Sequence, residues 1–478
     1  MEINSLKTIF IFSLIIVAIG CEDKNKAFNT NNIDDLEYRL DSVANSFLKS
    51  NKVLGFSIAV QKSKESIYKK SFGFIDSSKT KPVTNDIGFP IASATKPIMA
   101  IVAVKMMEEN LLDLDDKVIK YLPNFPKRKF SNQITIRHLL NHTSGIPDYT
   151  TYIDSLSLSG KNQITLNDYF DAIENQNHLF EPGSKFSYSN SGFVIVTEIM
   201  KKVSGLSFAE LIEKYIKNDL SFPTIDAYYN DLKKSKTTQI FELSESIYLK
   251  SFLNEMTYIE GDGGISSSAS DLAKFIYSAN SGLIIPKEKL NEMIKPSHLS
   301  SGIFFDYGLG FRTGYLEGHK VYGHTGGHKT RWCVMSHFPD DDLSIAVVVN
   351  TYSTPSNALN IFGAIAGECL DIKLKELYDQ NRPIENIESF IGDYIRPTDT
   401  KTRFMKIVKY TDDKHLYRKR SDSDSRGERL YHIEKNAFAP ESAPMDRLIF
   451  ETDKNGNVLY FKEYYNGLFI GIRDKKLN

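Results

Sequence analysis

The chain reads Phe89-Pro90-Ile91-Ala92-Ser93-Ala94-Thr95-Lys96 at the point that organises everything else. A short apolar approach ends in Ser93, Lys96 follows three residues later, and an apolar run from Ile98 to Met107 continues as a helix. If Ser93 opens that helix, it shares a face with Lys96 about one turn away. Pro97 agrees with this placement, because proline is tolerated in the first helical turn, where backbone N–H groups have no helical partner. A serine hydroxyl needs a neighbour to take its proton, and a lysine in the right surroundings does this. The helix N-terminus adds partial positive charge and free N–H groups where an oxyanion would form. A lone S-x-x-K is a weak signal, and its bland reading is a capped helix with a solvated lysine.

Working outward, the 478-residue chain is long enough for two domains. With a net charge of -1, nothing in its balance points to nucleic acid. Three cysteines exclude a disulfide framework. Thr8 to Ile19 is an apolar run, short for a membrane span and suited to a signal-peptide core. It ends Ala18-Ile19-Gly20-Cys21 and gives way abruptly to polar residues. This resembles a bacterial lipoprotein signal, which implies cleavage of residues 1–20, lipid on Cys21 and an extracytoplasmic, membrane-anchored protein. Residues 21–32, rich in Asn and charge, read as a flexible tether.

Ile33 to Ser50 has helical spacing, and Leu54–Val60 with Ser66–Phe74 reads as a hairpin. Thr135 is a candidate N-cap for a short helix stopped by Gly145 and Pro147. His138 and His142 lie four apart, but Leu139 stands where a zinc protease needs glutamate, so no metal is expected. Tyr188 and Asn190 sit in a turn-rich loop feeding a helix from Val194 to Val203, and in an extended loop they point the same way. A phenol beside a serine–lysine pair relays protons, and a carboxamide orients a lysine or a substrate amide. Residues 213–259 show no clean period and read as helices and loops. Ser270-Asp271 is a candidate cap for another helix, and Glu288 to Lys295 a further helix. Strands are expected at Tyr307–Tyr315, His319–Gly323, Lys329–Phe338 and Leu343–Asn350, with a closing helix at Ala358–Leu374. Gly323 to Thr330 brushes against a phosphate-binding loop but has His328 where glycine is needed, and no helix follows. Cys333 and Cys369 read as reduced and buried, with a bond between them left open.

Ser93-x-x-Lys96, Tyr188-x-Asn190 and His324-Thr325-Gly326, in that order, resemble the serine β-lactamase and penicillin-binding hydrolase superfamily. The Tyr-x-Asn form is similar to the branch of class C β-lactamases, D-alanyl-D-alanine carboxypeptidases, D-aminopeptidases and related esterases. The resemblance implies an α/β (α+β) fold over residues 33–375, an antiparallel sheet flanked by helices plus an all-helical subdomain. It implies Ser93 as acylated nucleophile, Lys96 as base and Tyr188 as proton relay. Asn190 would position Lys96 and the substrate amide. His324 would line the site from the edge strand, with Thr325, Gly326 and Gly327 beside the substrate and the N–H groups of Ser93 and Gly327 as oxyanion hole. Class C β-lactamases usually carry lysine where this chain has His324, so a peptidase, carboxypeptidase or esterase ranks above a β-lactam hydrolase. The substrate would be a small molecule, peptide or ester, and no cofactor is implied. A non-catalytic, lipid-anchored binding protein is the alternative.

Residues 376–383 read as a linker. From 384 to 478, six short strand-like runs separated by polar turns indicate a small antiparallel barrel or sandwich. Phe390 to Tyr394 resembles the opening of lipocalin-like domains. Arg418 to Arg429 is expected to be an exposed loop, and Asn455-Gly456 a hairpin turn.

Overall fold

The computed structural model describes residues 33–50, 52–127, 129–150, 152, 166–217, 220–227, 237–244, 247–250, 260–327, 332–352, 358–372, 384–399, 403–411 and 414–476. The signal, the tether with Cys21 and the linker lie outside them. The helix α1 spans Ile33–Lys49, and β1 (Gly55–Lys62) and β2 (Glu65–Gly73) form the expected hairpin. The central sheet also takes β3 (Arg312–Leu316), β4 (His319–Gly326), β5 (Cys333–Phe338) and β6 (Leu343–Val349), in the order β3-β4-β5-β6-β1-β2. All its pairings are antiparallel. β6 reads LSIAVVV and is buried at every position. That suits a central strand covered on both faces rather than one alternating between core and water. Helix α5 (Ala269–Asn280) packs on one face against β1, β5 and β6, while α1 and α6 (Ala358–Cys369) pack together on the other.

Away from the sheet, helix α2 (Thr95–Glu108) is apolar on nearly all sides and buried along its length, as a helix in the middle of a domain must be. It packs against α4 (Asn190–Ser204), which rests on α3 (Ile136–Leu140). Thr135 caps α3, with His138 completing a reciprocal capping box. Several details differ from the sequence reading. α4 begins at Asn190, four residues early, because Ser189 is the extended residue before it. Ser268, not Ser270, caps α5 by accepting from Asp271 N–H at 3.2 Å. Tyr307 stands outside β3, joined to Arg312 by one bridge. Within 213–250 the described residues include short strands at Asp226–Ala227, Phe241–Ser244 and Ile247–Lys250, too short for periodicity to reveal; 251–259 lie outside the described residues. Cys333 and Cys369 are both free.

The C-terminal region closes into an eight-stranded antiparallel barrel. Its strands are β7 (Gly392–Ile395), β8 (Met405–Lys409), β9 (Leu416–Arg420), β10 (Glu428–Glu434), β11 (Ala437–Pro440), β12 (Arg447–Thr452), β13 (Val458–Tyr465) and β14 (Leu468–Lys475). Two of these, β9 and β11, were not among the six expected. The segment from Arg418 to Arg429, expected as an exposed loop, has its ends inside β9 and β10, where Arg418 pairs with Glu428 at 2.7 Å across the ladder. Charge hid β9, although an arginine with a cross-strand carboxylate is a good strand residue. Asn455-Gly456 does turn β12 into β13, with Gly456 at φ 83°. The interior is filled by Phe390, Tyr394, Phe438, Phe450 and Phe461, whose ring centroids lie 4.9–5.7 Å apart.

The barrel docks through β14 along β3. The approach is close enough that a Cβ added at Gly314 would sit 2.1 Å from the Gly467 carbonyl oxygen. Overpacking of this kind costs about 1–3 kcal/mol. Gly314→Ala is therefore expected to lower stability by about that amount in urea unfolding; an unchanged midpoint would mean that β14 does not press on β3.

Candidate active site

The serine sits in a 3-10 turn, Ala92–Ala94, leading directly into α2. Ala92 adopts φ 46°, a left-handed conformation that a non-glycine residue takes only at a cost. Behind it Gly263 approaches, with its would-be Cβ 3.7 Å from Ala92 Cα. Lys96 is 0 % exposed, and its Nζ donates to Ser93 Oγ at 3.0 Å, Asn190 Oδ1 at 2.7 Å and the Asp262 carbonyl at 2.9 Å. An ammonium has three hydrogens, and here each has one acceptor. Ser93 and Lys96 thus meet as their spacing suggested, and Asn190 joins Lys96 at the place the family resemblance implied.

Asp148 and Asp262 hold this arrangement. Asp148 Oδ2 accepts from both the backbone N–H and the Nδ2 of Asn190 at 2.9 Å, so the carboxamide must turn its oxygen to Lys96. Asp262 accepts from the Tyr149 hydroxyl at 2.7 Å, and burial pushes its carboxyl up to about 6, opposed by the Lys96 charge and the Tyr149 hydrogen bond. The sequence reading had no role for either. Asp148 directly follows Pro147, and Asp262 stands in the glycine-rich turn Gly261-Asp262-Gly263-Gly264. The only clue to that turn was its glycines, and at Gly261 a Cβ would meet Thr197 Oγ1 at 2.0 Å.

Tyr188 lies on the other side of Lys96, whose Nζ is 5.0 Å from the ring centroid. Beneath it runs a buried file of hydrogen bonds. Ser189 N–H donates to His142 Nδ1 at 3.1 Å, which leaves the proton on Nε2 for the Tyr307 oxygen at 3.0 Å. The Tyr307 hydroxyl then donates to His324 Nε2 at 3.1 Å, and His324 Nδ1–H donates to the Thr325 carbonyl at 2.6 Å. Each ring nitrogen has one consistent role. Burial holds both imidazoles well below their ordinary pKa, with the Lys96 and Arg312 charges pushing the same way. His324 is 0 % exposed with both nitrogens engaged, so its geometry differs from that of a group offered to a substrate carboxylate. Nor is its strand the sheet edge: β3 is, but its pairing stops at Gly323, so His324, Thr325 and Gly326 run past its end. Gly326 lies against the serine turn, where a Cβ would be 1.8 Å from the Ile91 carbonyl oxygen. Gly327 follows at φ 147°. A cavity of about 310 Å³ beside Tyr188 and Asp148 is closed from the barrel side by Arg396, Thr398 and Ile470.

A β-lactamase family profile matches residues 40–367. The chain therefore belongs to the β-lactamase family. It is 29 % identical over 300 residues to penicillin-binding protein 4* of Bacillus subtilis, a match covering 59 % of this chain and 65 % of that protein. The octameric penicillin-binding protein homologue from Pyrococcus abyssi has the same fold at TM-score 0.62 and 24 % identity, over 92 % of this chain and 99 % of that one. D-amino acid amidase from Ochrobactrum anthropi SV3 aligns at TM-score 0.60 and 19 % identity, over 70 % of this chain and 99 % of its own.

The site makes stability depend on pH with a calculable sign. His142 and His324 are neutral in the fold and ordinary in the unfolded chain, so their contribution is complete above about pH 6.5 and lost as pH falls. Asp262 acts oppositely: its contribution is present below 3.8 and is lost as pH rises towards about 6. Below pH 6.5 the two histidines therefore make stability fall as pH falls, and Asp262 offsets part of this between 3.8 and about 6. His324→Gln should make the measured fall in stability below pH 6.5 shallower in urea unfolding. An unchanged slope would show that His324 is not held neutral.

Proposed function

We propose that this protein is a serine hydrolase that cleaves a small amide or ester through an acyl-enzyme on Ser93. The observation that carries this is the contact between Lys96 Nζ and Ser93 Oγ at 3.0 Å, with Lys96 aimed by Asn190 and the Asp262 carbonyl. In its unprotonated form Lys96 takes the Ser93 proton as Oγ bonds to the substrate carbonyl carbon. The carbonyl electrons move to oxygen, in reach of the N–H groups at the start of α2. They return as the C–N or C–O bond breaks, and the leaving group receives a proton through Tyr188. Water then adds to the acyl carbon, gives up its proton by the same route, and releases the acid and free Ser93.

We assign the substrate to the D-amino acid peptides, amides and esters handled by the D-alanyl-D-alanine carboxypeptidase and class C branch. Peptidase or esterase action ranks above β-lactam hydrolysis, because a neutral, engaged His324 offers a β-lactam carboxylate no charge. We read the barrel as a lipocalin-like module that shapes substrate access rather than carrying a ligand. Its interior is packed with aromatic rings, whereas its outer wall closes the cavity beside Tyr188. We further propose that the protein is anchored outside the cytoplasm by lipid on Cys21.

Intact-mass labelling with a fluorophosphonate and, separately, penicillin tests the chemistry. One adduct is expected, absent in Ser93→Ala and slowed by about 10²–10⁴ in Lys96→Ala. No adduct on a folded protein would leave the binding-protein reading. Slow, persistent penicillin labelling would favour a peptidase, and rapid turnover a β-lactamase. For the anchor, the full chain expressed in a bacterium should incorporate labelled palmitate and partition into detergent, and Cys21→Ser should do neither; equal behaviour of the two would dismiss it.

A further inference from the structure

Arg312 is a buried cation that the reaction above does not use. It is 4 % exposed, and no carboxylate pairs with it among the described residues. Its Nη1 donates to the Phe469 carbonyl of β14 at 2.6 Å, and its Nε is buried without a partner. An unpaired charge at such a depth is costly unless something nearby returns the cost. The guanidinium carbon lies 4.9 Å from the centroid of the Tyr188 ring, and 5.7 Å from that of Tyr307. Lys96 lies at 5.0 Å from the same Tyr188 ring. His142, 4.2 Å from it, and His324, 6.1 Å from it, are both neutral.

Tyr188 is therefore flanked by two positive charges. Lys96 is spent on Ser93, Asn190 and Asp262, while Arg312 makes a single hydrogen bond among the described residues, and to the barrel. We propose that Arg312 is a positioning residue for Tyr188: it stabilises the negative charge that Tyr188 acquires each time it passes a proton on, and the barrel holds it there through the Phe469 carbonyl. A direct role in holding a substrate carboxylate does not fit, because substrate cannot reach a side chain so deeply enclosed. The barrel would then be a working part of the site, fixing the cation that acts on its proton relay. This rests on the acyl-enzyme reading of Ser93, Lys96 and Tyr188.

The test uses the mature full-length chain and p-nitrophenyl acetate. Arg312→Ala should lower kcat by about 10²-fold, within the range of one proton-transfer group, with KM changed by less than about threefold because Arg312 does not touch substrate. Guanidinium at about 10–50 mM should restore at least about tenfold of that loss, and urea, which has the same shape and no charge, should not. Equal rescue by urea, or an undiminished kcat, overturns the proposal, since the side chain would then be packing only. If Arg312→Ala does not fold, Arg312→Lys decides: kcat within about tenfold of the parent supports a charge role, and a loss of about 10²-fold or more overturns it. A parent protein that takes no fluorophosphonate on Ser93 removes the acyl-enzyme reading itself and this inference with it.

Discussion

A lysine with no exposure to water is the constraint on which this structure depends. Removing an ammonium from water costs several kcal/mol unless each of its hydrogens finds an acceptor. Lys96 finds its three in three different places: the serine turn of its own helix, the first residue of α4, and the backbone of the glycine-rich turn before α5. These segments are far apart in the chain, so the folding of the helical subdomain and the assembly of the site are one event. The remaining supports follow. Asp148 must turn Asn190, and Gly326 must lack a side chain so that β4 lies against the serine turn.

The second feature is how polar groups are arranged beneath Tyr188. His142, Tyr307 and His324 form one directed line of hydrogen bonds ending on a backbone carbonyl, with every donor matched to an acceptor. A satisfied line of neutral groups is rigid and leaves no spare charge. Positive charge at this position comes from elsewhere, on Arg312. Its hydrogen bond to β14, together with the packing of Phe186 on Phe469 at 5.2 Å, joins the family fold to the barrel at the site itself. The likeness to the Pyrococcus abyssi structure spans 92 % of this chain and so reaches into the barrel, whereas the amidase likeness spans 70 %.

Much of this was legible residue by residue. The Ser93–Lys96 spacing, Pro97 in the first turn, the β1–β2 hairpin and the Thr135 cap depend on neighbours within a few positions, and short-range rules read them well. What was missed depended on partners far away. Asn190 looked like loop because its role as first helical residue rests on Asp148 taking its N–H. The strand at 416–420 looked like charged loop because Arg418 meets Glu428 only once the barrel has closed, and 437–440 reads AFAP, too short and proline-ended to show a period. Arg312, one charged residue after an apolar strand approach, carried no local signal.

By itself the sequence determined the family, the pairing of Ser93 with Lys96, the sheet-and-helix domain and an all-β tail, because these are written in hydrophobic period and motif order. Only the tertiary structure decided which groups are charged, which are neutral and which face one another. Burial, not residue type, keeps His324 neutral; the sheet register ends β3 at Gly323; and the docking of a separate barrel brings a carbonyl to Arg312. Desolvation and distance act through space, so they are set only when the chain has folded.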